Sequence, residues 1–254
     1  MLMSVVDELH LDAVYPELRG ARVLITGLSG SCGIDIARAF ADHSARLVVR
    51  AAEETPEIDE IATLLNQSAA DLRLFTDPDA ADAKGAVVFT QGPAQKAFGG
   101  LDTVINLISV SREDFADCTD LEDIENAIAA KISAMTRMSH VLANRMRLTL
   151  TEGSILNVIA MPQTTDPGMT MLLGMLRTAI AAYTRQEATK WADNAIRINS
   201  VVPKAVDPFQ YDDDEWSDMG EPDVAALALY LASRKGNRLS GHIFEATQIT
   251  TGGR

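Results

Sequence analysis

Glycine and small polar residues follow a short apolar run near the beginning of the chain. After residues 22–26 come Gly27, Ser29, Ser31 and Gly33, and a segment with helical periodicity begins directly after them. Glycines at such a place let the backbone turn tightly and approach a pyrophosphate, whose negative charge lies at the N-terminus of the following helix. The segment therefore indicates a dinucleotide site, although glycines that only permit close packing of a strand against a helix would give the same pattern.

The other residues of reactive type do not form a recognisable catalytic or metal-binding set. Cys32 lies near a predicted helix N-terminus, where a thiolate would be stabilised, but a small packed side chain is the simpler interpretation. Ser109 and Ser111 have no histidine or acidic partner that the sequence identifies. The four histidines, none with the close spacing to Cys, Asp or Glu that a metal site requires, are His10, His43, His140 and His242. We predict no metal site.

The composition narrows the classes of protein to which the chain can belong. It has 254 residues, of which 47% are apolar, so it can bury a sizeable core and is not expected to be disordered. The net charge of −14 would repel a phosphate backbone, which argues against nucleic-acid binding. Two cysteines and the lack of an uninterrupted apolar stretch of membrane-spanning length favour a cytoplasmic protein with no membrane partner.

Short apolar runs without polar alternation recur along the chain, as is typical of strands buried on both faces of a parallel sheet. The stronger runs are 22–26, 47–49, 103–107, 154–159, 196–201 and 243–246, and the weaker ones are 72–75 and 87–90. Apolar residues at three- and four-residue steps predict helices over 121–146, 171–191 and 223–233. This alternation predicts a single-domain, Rossmann-like α/β fold with a doubly wound parallel sheet.

No linker rich in Pro, Gly or Ser divides the chain. We therefore predict an N-terminal arm over residues 1–17 and one Rossmann-like domain over 18–254. The acidic segment 211–215 is expected to be a solvated loop, with cation binding as the alternative interpretation.

Several segments, in order along the chain, resemble the landmarks of the short-chain dehydrogenase/reductase (SDR) family. Residues 26–33 are similar to its Thr-Gly-x-x-x-Gly-x-Gly loop, residues 101–106 to its fourth strand and residues 153–158 to its fifth. The most specific match is Ile-Arg-Ile-Asn-Ser-Val-Val-Pro at 196–203, which resembles the sixth strand. The resemblance covers residue 18 to the C-terminus and implies an SDR-type Rossmann fold, an NAD(P) cofactor and oxidoreductase activity.

The resemblance also implies that catalysis would need an Asn, a Ser, a Tyr and a Lys, with the Tyr as general acid/base. Counting from the landmarks places these four positions at Lys131, Ala160, Leu173 and Arg177. No Tyr-x-x-x-Lys occurs in the chain, Leu173 has no proton to transfer, and Arg differs from Lys in shape and pKa. We therefore predict that the chain has no catalytic residues for carbonyl reduction.

The cofactor positions implied by the resemblance are altered as well. Gly27, Ser29, Ser31, Gly33 and Asn106 are the remaining candidates for cofactor binding, and Ser31 stands where the family has its middle glycine. We therefore expect either no cofactor or weakly bound NAD(P).

Two further departures from the family pattern, at Ala51 and at residues 107–109, point the same way, whereas Gly30 points the other way. Gly30 lies one residue before the family's middle glycine and could partly replace it. Ala51 takes the place of the acid that would hold the ribose, while Arg50 before it could favour a 2′-phosphate, although we expect Arg50 to be solvated. Residues 107–109 are Leu-Ile-Ser where Ala and Gly normally let the cofactor lie close.

A preserved framework around an altered site suggests a non-catalytic subunit of a hetero-oligomeric, NAD(P)-dependent dehydrogenase. Its partner would be an active SDR paralogue, bound through the predicted helices 121–146 and 171–191 in a heterodimer or heterotetramer. Two alternatives remain open. One is a divergent oxidoreductase that uses other acid/base groups, such as Lys131 or Arg177. The other is a binding module that senses a nucleotide or an acyl-CoA.

Overall fold

Seven strands form one parallel sheet in the computed structural model, which describes residues 15–51, 54–76, 85, 88–161, 167–204 and 220–247. The strands are β1 (Arg22–Leu28), β2 (Arg46–Ala51), β3 (Asp71–Thr76), β4 (Thr103–Ser109), β5 (Gly153–Ala160), β6 (Ile196–Pro203) and β7 (Ile243–Ala246). Their order is β3-β2-β1-β4-β5-β6-β7, and every neighbouring pair is parallel. The predicted strand at 72–75 and the six stronger runs are confirmed.

Helices cover both faces of this sheet. They are α1 (Ile34–Asp42), α2 (Pro56–Ser68), α3 (Leu121–Leu148), α4 (Pro167–Trp191) and α5 (Glu221–Ala232). The apolar sides of α1, α2 and α5 share one buried cluster with the sheet, while α3 and α4 pack into two clusters on the opposite face. The predicted doubly wound, single-domain fold is confirmed. No helix among the described residues is long and apolar enough to cross a bilayer.

Helices α2, α3 and α5 begin where short polar side chains or proline favour a first turn. The Thr55 hydroxyl accepts a hydrogen bond from the Ile58 N–H at 3.3 Å, and the Asp120 carboxylate accepts one from the Asp123 N–H at 2.9 Å. These caps satisfy backbone donors that have no partner within the helix. Proline in the first turn adds to this at α2 and α5.

The weak strand prediction over 87–90 is wrong. Residues 88–89 are helical, and Thr90–Ala94 form a π-helical turn. Phe89 is buried and meets Phe75 edge-on with ring centroids 5.3 Å apart, whereas Val88 is exposed. A run of four residues is too short for its periodicity to distinguish a strand from one turn of a helix. Residues 1–14 of the predicted arm and the acidic segment 211–215 lie outside the described residues.

A ladder of buried polar side chains crosses the four central strands. Thr26, Asn106, Asn157 and Ser200 are in register on β1, β4, β5 and β6. The Thr26 hydroxyl donates to Asn106 Oδ1 at 3.3 Å, Asn106 Nδ2 donates to Asn157 Oδ1 at 2.8 Å, and Asn157 Nδ2 donates to the Ser200 hydroxyl at 3.5 Å. The hydrogen bonds satisfy polar groups that would otherwise be costly to bury.

The same ladder connects the sheet to the two long helices. The Ser139 hydroxyl of α3 accepts from Asn106 Nδ2 at 3.0 Å, and the Thr184 hydroxyl of α4 lies 2.7 Å from the Ser200 hydroxyl. Both helices are therefore fixed to the sheet by hydrogen bonds as well as by apolar contacts.

We expect Asn157→Ala to lower the free energy of unfolding by about 1–3 kcal/mol, because it removes the buried hydrogen bonds to Asn106 and Ser200 at the centre of the ladder. Urea unfolding followed by circular dichroism measures the change. Asn126→Ala, at an exposed position on α3, is the control and should change stability by less than about 0.5 kcal/mol. Equal effects of the two substitutions would contradict a stabilising role for the ladder.

Candidate active site

The glycine loop connects β1 to α1 by a tight turn. The Ser29 N–H donates to the Cys32 carbonyl at 3.1 Å and the Cys32 N–H donates to the Ser29 carbonyl at 3.3 Å, so Gly30 and Ser31 form the tip. Gly27 has φ +79°, and a Cβ on it would lie 2.2 Å from the Leu107 carbonyl oxygen. This position therefore requires glycine on both conformational and steric grounds.

Leu107 covers the start of α1. Gly33, the residue before this helix, has φ +88°, and a Cβ on it would lie 2.1 Å from Leu107 Cδ1. Leu107 directly follows Asn106 on β4, and its side chain is buried. The space against Gly33 is thus filled by a side chain of the chain itself.

A buried carboxylate lies at the same helix start. Glu221, in the first turn of α5, is 4% exposed, and its Oε1 accepts a hydrogen bond from the Asp35 N–H at 3.0 Å. The pKa of Glu221 is raised from 4.5 to about 7, first by burial and then by repulsion from the Asp35 carboxylate, against the opposing effect of this hydrogen bond. The N–H groups of Gly33 and Ile34 act in the same direction as the Asp35 N–H and lower the pKa. The N-terminal end of a helix favours an anion, and Glu221 supplies one.

Sequence reasoning missed Glu221, which lies two residues before the helix predicted over 223–233. The hydrogen bond to Asp35 joins residues 186 positions apart. No local pattern specifies such a contact, although an acidic residue before a first-turn proline was a weak signal of an anion at this edge of the sheet.

Cys32 is a packed core residue. It is buried, and its pKa is raised to about 12, first by burial and then by the nearby negative charge of Glu221. The thiol is therefore protonated at neutral pH, which excludes the interpretation as a stabilised thiolate.

Asn106, the fifth candidate for cofactor binding, belongs to the polar ladder. Its amide donates to Ser139 and Asn157, and the residue is 1% exposed. Gly27, Ser29, Ser31 and Gly33, in contrast, lie together in the glycine loop.

The expectation of a solvated Arg50 is wrong. Arg50 is 2% exposed and its guanidinium lies 5.0 Å from the centre of the Phe89 ring. The helical segment that was mistaken for a strand supplies this ring and covers the end of β2. Ala51, which follows Arg50, is buried in register between Leu28 and Thr76.

Two of the four positions that counting assigned to the catalytic residues are apolar and buried. Ala160 ends β5, and its carbonyl accepts a hydrogen bond from the Val110 N–H at 2.8 Å. Leu173 lies on α4 within an apolar cluster. That cluster includes Ile108, Val110, Ile159, Met161, Met169 and Leu176. Neither position offers a proton donor or acceptor on its side chain.

The other two positions are cationic, and both are in ion pairs. Lys131 Nζ lies 2.6 Å from Asp114 Oδ1 and donates to the Ser109 carbonyl at 3.3 Å. Arg177 is paired with Glu245 of β7 and donates to the Pro203 carbonyl at 3.1 Å. The carbonyl contacts place both cations at the carboxyl ends of strands, the edge at which ligands bind in open α/β sheets. Ala160 ends β5 at this same edge, and the glycine loop follows the carboxyl end of β1.

A family model described as enoyl-(acyl carrier protein) reductase matches residues 27–247. The chain belongs to the short-chain dehydrogenase/reductase family. Members of this family normally bind NAD(P), and the curated relatives of the chain are SDR oxidoreductases.

Two of these relatives align over most of the chain. Galactitol 2-dehydrogenase (L-tagatose-forming) of Cereibacter sphaeroides is 27% identical, with 89% of this chain and 93% of the relative aligned. Glucose 1-dehydrogenase 2 of Bacillus subtilis is 22% identical, with 94% and 96% aligned. The chain is therefore similar to complete dehydrogenases and not to a fragment of them.

Solved structures agree with the fold. A short-chain dehydrogenase/reductase from Serratia marcescens superimposes with a TM-score of 0.69 at 19% identity, over 91% of this chain and 98% of the other. A short-chain dehydrogenase from Burkholderia cenocepacia, solved in complex with NADP, gives a TM-score of 0.69 at 21% identity over 91% and 97%. At this identity the likeness establishes the Rossmann-like SDR architecture alone.

We expect Gly33→Ala to destabilise the fold by at least about 2 kcal/mol, because Ala is strained at φ +88° and its Cβ would clash with Leu107. Thermal and urea unfolding measure the change. Gly174→Ala is the matched control, since a Cβ there meets nothing within 4 Å on an exposed helical face. It should stabilise the chain by about 0.5–1 kcal/mol. A harmless Gly33→Ala would contradict the close contact with Leu107.

We expect the stability gained by Glu221→Gln to grow as the pH rises from about 4.5 to about 7. In this window the unfolded carboxyl ionises while the buried one still holds its proton, so the wild-type fold loses stability with rising pH. The gain should reach up to about 3 kcal/mol above pH 7. Urea unfolding at four pH values from 4.5 to 8 measures it. Asp223→Asn, in the same helical turn but exposed, should show no comparable growth, and parallel profiles for Glu221→Gln and wild type would disprove the raised pKa.

Proposed function

We propose that the chain is a non-catalytic subunit of a hetero-oligomeric, NAD(P)-dependent alcohol or hydroxyacyl-CoA dehydrogenase of the SDR family, where it supports an active paralogous subunit. The observation that carries this proposal is the occupation of the candidate site by the chain's own side chains. Leu107 fills the space against Gly33, and the Glu221 carboxylate takes the backbone donors at the start of α1. These residues do not fit a dinucleotide pyrophosphate at the glycine loop, which supports absent or weak NAD(P) binding.

The catalytic positions support the same function. Leu173 and Ala160 offer no acid/base group, and their surroundings are apolar and buried. Lys131 and Arg177 are cationic, but the carboxylates of Asp114 and Glu245 neutralise them. General acid/base catalysis contributes about 10²–10⁴ in rate, so a chain without it would need an active partner for turnover.

The proposed interface consists of the outer faces of α3 and α4. The two helices lie side by side, since the Tyr183 hydroxyl donates to the Thr136 carbonyl at 3.4 Å and Lys190 Nζ lies 3.0 Å from His140 Nδ1. Their large apolar side chains mostly face the chain's own core. The exposed positions include small residues, among them Ala129, Ala130, Gly174, Thr178 and Ala182. Small side chains let another helix pair approach closely, and two related chains can share such a pseudo-symmetric interface.

Paired active and inactive subunits occur in this family. The chain is similar in kind to the inactive subunit of the 2-[hydroxy(phenyl)methyl]-succinyl-CoA dehydrogenase of benzylsuccinate β-oxidation. This resemblance makes a hydroxyacyl-CoA the substrate class that we propose for the active partner.

The purified chain should show no NAD(P)-dependent oxidation of secondary alcohols or hydroxyacyl-CoA thioesters. Mixed with an SDR paralogue that keeps Tyr-x-x-x-Lys, it should form a stable hetero-oligomer by size-exclusion chromatography with light scattering, and it should raise the partner's thermal stability or turnover. Thr178→Arg, on the outer face of α4, should weaken association at least tenfold. Gln67→Arg, at an exposed position on α2, is the control and should leave association unchanged. Full activity and stability of the partner alone, with no association, would exclude the proposal.

The second candidate function is a divergent oxidoreductase. It is favoured by the curated relatives, which are dehydrogenases over nearly their whole length, and by the position of Lys131 at the carboxyl edge of the sheet. Turnover by the isolated chain, lost in Lys131→Met, would establish this function. Binding of a nucleotide or acyl-CoA by the isolated chain without turnover would instead establish a sensing module.

A further inference from the structure

Three carboxylates surround the glycine loop and the start of α1. Glu221 contributes Oε1 to the Asp35 N–H, and its buried Oε2 has no hydrogen-bond partner among the described residues. The Asp35 carboxylate lies close enough to raise the energy of the charged form of Glu221. On the other side of the loop, a Cβ on Gly30 would lie 2.4 Å from Glu57 Oε2. A helix N-terminus that attracts anions is thus enclosed by negative charges of the chain itself.

We propose that Glu221 is an intramolecular anion that occupies the N–H groups at the start of α1 and thereby excludes phosphate-bearing ligands while it is ionised. The inference rests on the proposed function in one respect, namely that the chain binds no cofactor or binds it weakly. It goes further by assigning the exclusion of phosphate groups, as distinct from the space that Leu107 fills, to a single charged group. Glu221, although it lies on α5, therefore determines which ligands the glycine loop can bind.

The physical reason is competition for the same donors. The first N–H groups of an α-helix have no partner within the helix, and an oxyanion that approaches the helix start accepts hydrogen bonds from them. An ionised carboxylate that already accepts from the Asp35 N–H both uses a donor and repels a phosphate. Removing its charge leaves the donors in place and removes the repulsion.

Protonation of Glu221 should raise the affinity for phosphate-bearing ligands, as the substitution Glu221→Gln should. Burial places the pKa of Glu221 at about 7, so the carboxyl is largely neutral at pH 6 and ionised at pH 8.5. The groups that face it are the carboxylate of Asp35 on α1 and the thiol of Cys32 in the loop, which stays neutral over this range. Asp223, also on α5, accepts a hydrogen bond from the Gly220 N–H at its Oδ2, at 3.0 Å.

The test measures the affinity of inorganic pyrophosphate for the full chain by isothermal titration calorimetry at pH 8.5 and constant ionic strength. Glu221→Gln should bind pyrophosphate at least tenfold more tightly than wild type. Asp223→Asn removes one negative charge from the same helical turn without touching α1, and it should bind as weakly as wild type. Circular dichroism establishes that each variant is folded.

A second measurement follows the pH dependence of pyrophosphate affinity in wild type and in Glu221→Gln. The ratio of wild-type to Glu221→Gln affinity corrects for the ionisation of pyrophosphate itself, and this ratio should approach one at pH 6. If Glu221→Gln is unfolded, the wild type alone carries the test, and its affinity for pyrophosphate should rise between pH 8.5 and pH 6 although pyrophosphate itself loses negative charge over this range. Pyrophosphate affinity that is independent of both residue 221 and pH would overturn the inference.

NADH in the same titrations separates this inference from the proposed function. Tight pyrophosphate binding by Glu221→Gln without NADH binding supports the inference and leaves Leu107 as the barrier to the whole dinucleotide. Equal binding of pyrophosphate by wild type and both variants at pH 8.5 overturns the inference, whereas the proposed function is judged by turnover and partner association alone.

Discussion

The start of α1 presents backbone N–H groups that require an acceptor, and the arrangement of the glycine loop depends on how they are satisfied. In a nucleotide-binding α/β protein a ligand phosphate meets this requirement. In this chain a carboxylate from α5 does so, and it stays in place because α5 packs against α1 in the same apolar cluster. A fold that supplies its own anion no longer needs a ligand to complete the helix start, which agrees with the proposed loss of cofactor binding.

The framework can remain while the site changes because the two depend on different residues. Asn106 resembles a cofactor-binding residue by position, yet its hydrogen bonds run to Asn157 and Ser139 within the core. Its retention therefore follows from the need to satisfy buried polar groups and carries no information about a ligand. Leu107 is the next residue along β4, and there the change to a bulky apolar side chain fills space without disturbing the sheet.

The fold was predictable from sequence to the extent that local patterns specify it. Buried parallel strands are short continuous apolar runs, so β1 to β7 were found, with ends that differ by at most two residues from the structure. The run at 87–90 has the same composition but packs Phe89 as part of a helix against Phe75, a contact that no local pattern encodes. The burial of Arg50 and the contact of Glu221 with Asp35 could not be predicted from the sequence for the same reason, because both depend on residues that are distant in sequence.

The positions assigned to the catalytic residues have acquired packing and charge partners of their own. Leu173 contributes to an apolar cluster in which a tyrosine hydroxyl would have to find a partner, and Arg177 bridges α4 to the ends of β6 and β7 through Pro203 and Glu245. Restoring the family's catalytic residue at one position would therefore disrupt apolar packing or remove an ion pair. It would not assemble the catalytic unit, whose members act together rather than additively. Several simultaneous changes, together with removal of the barrier at the glycine loop, would be needed to restore catalysis, and this requirement is the physical argument for placing the chemistry in a partner subunit.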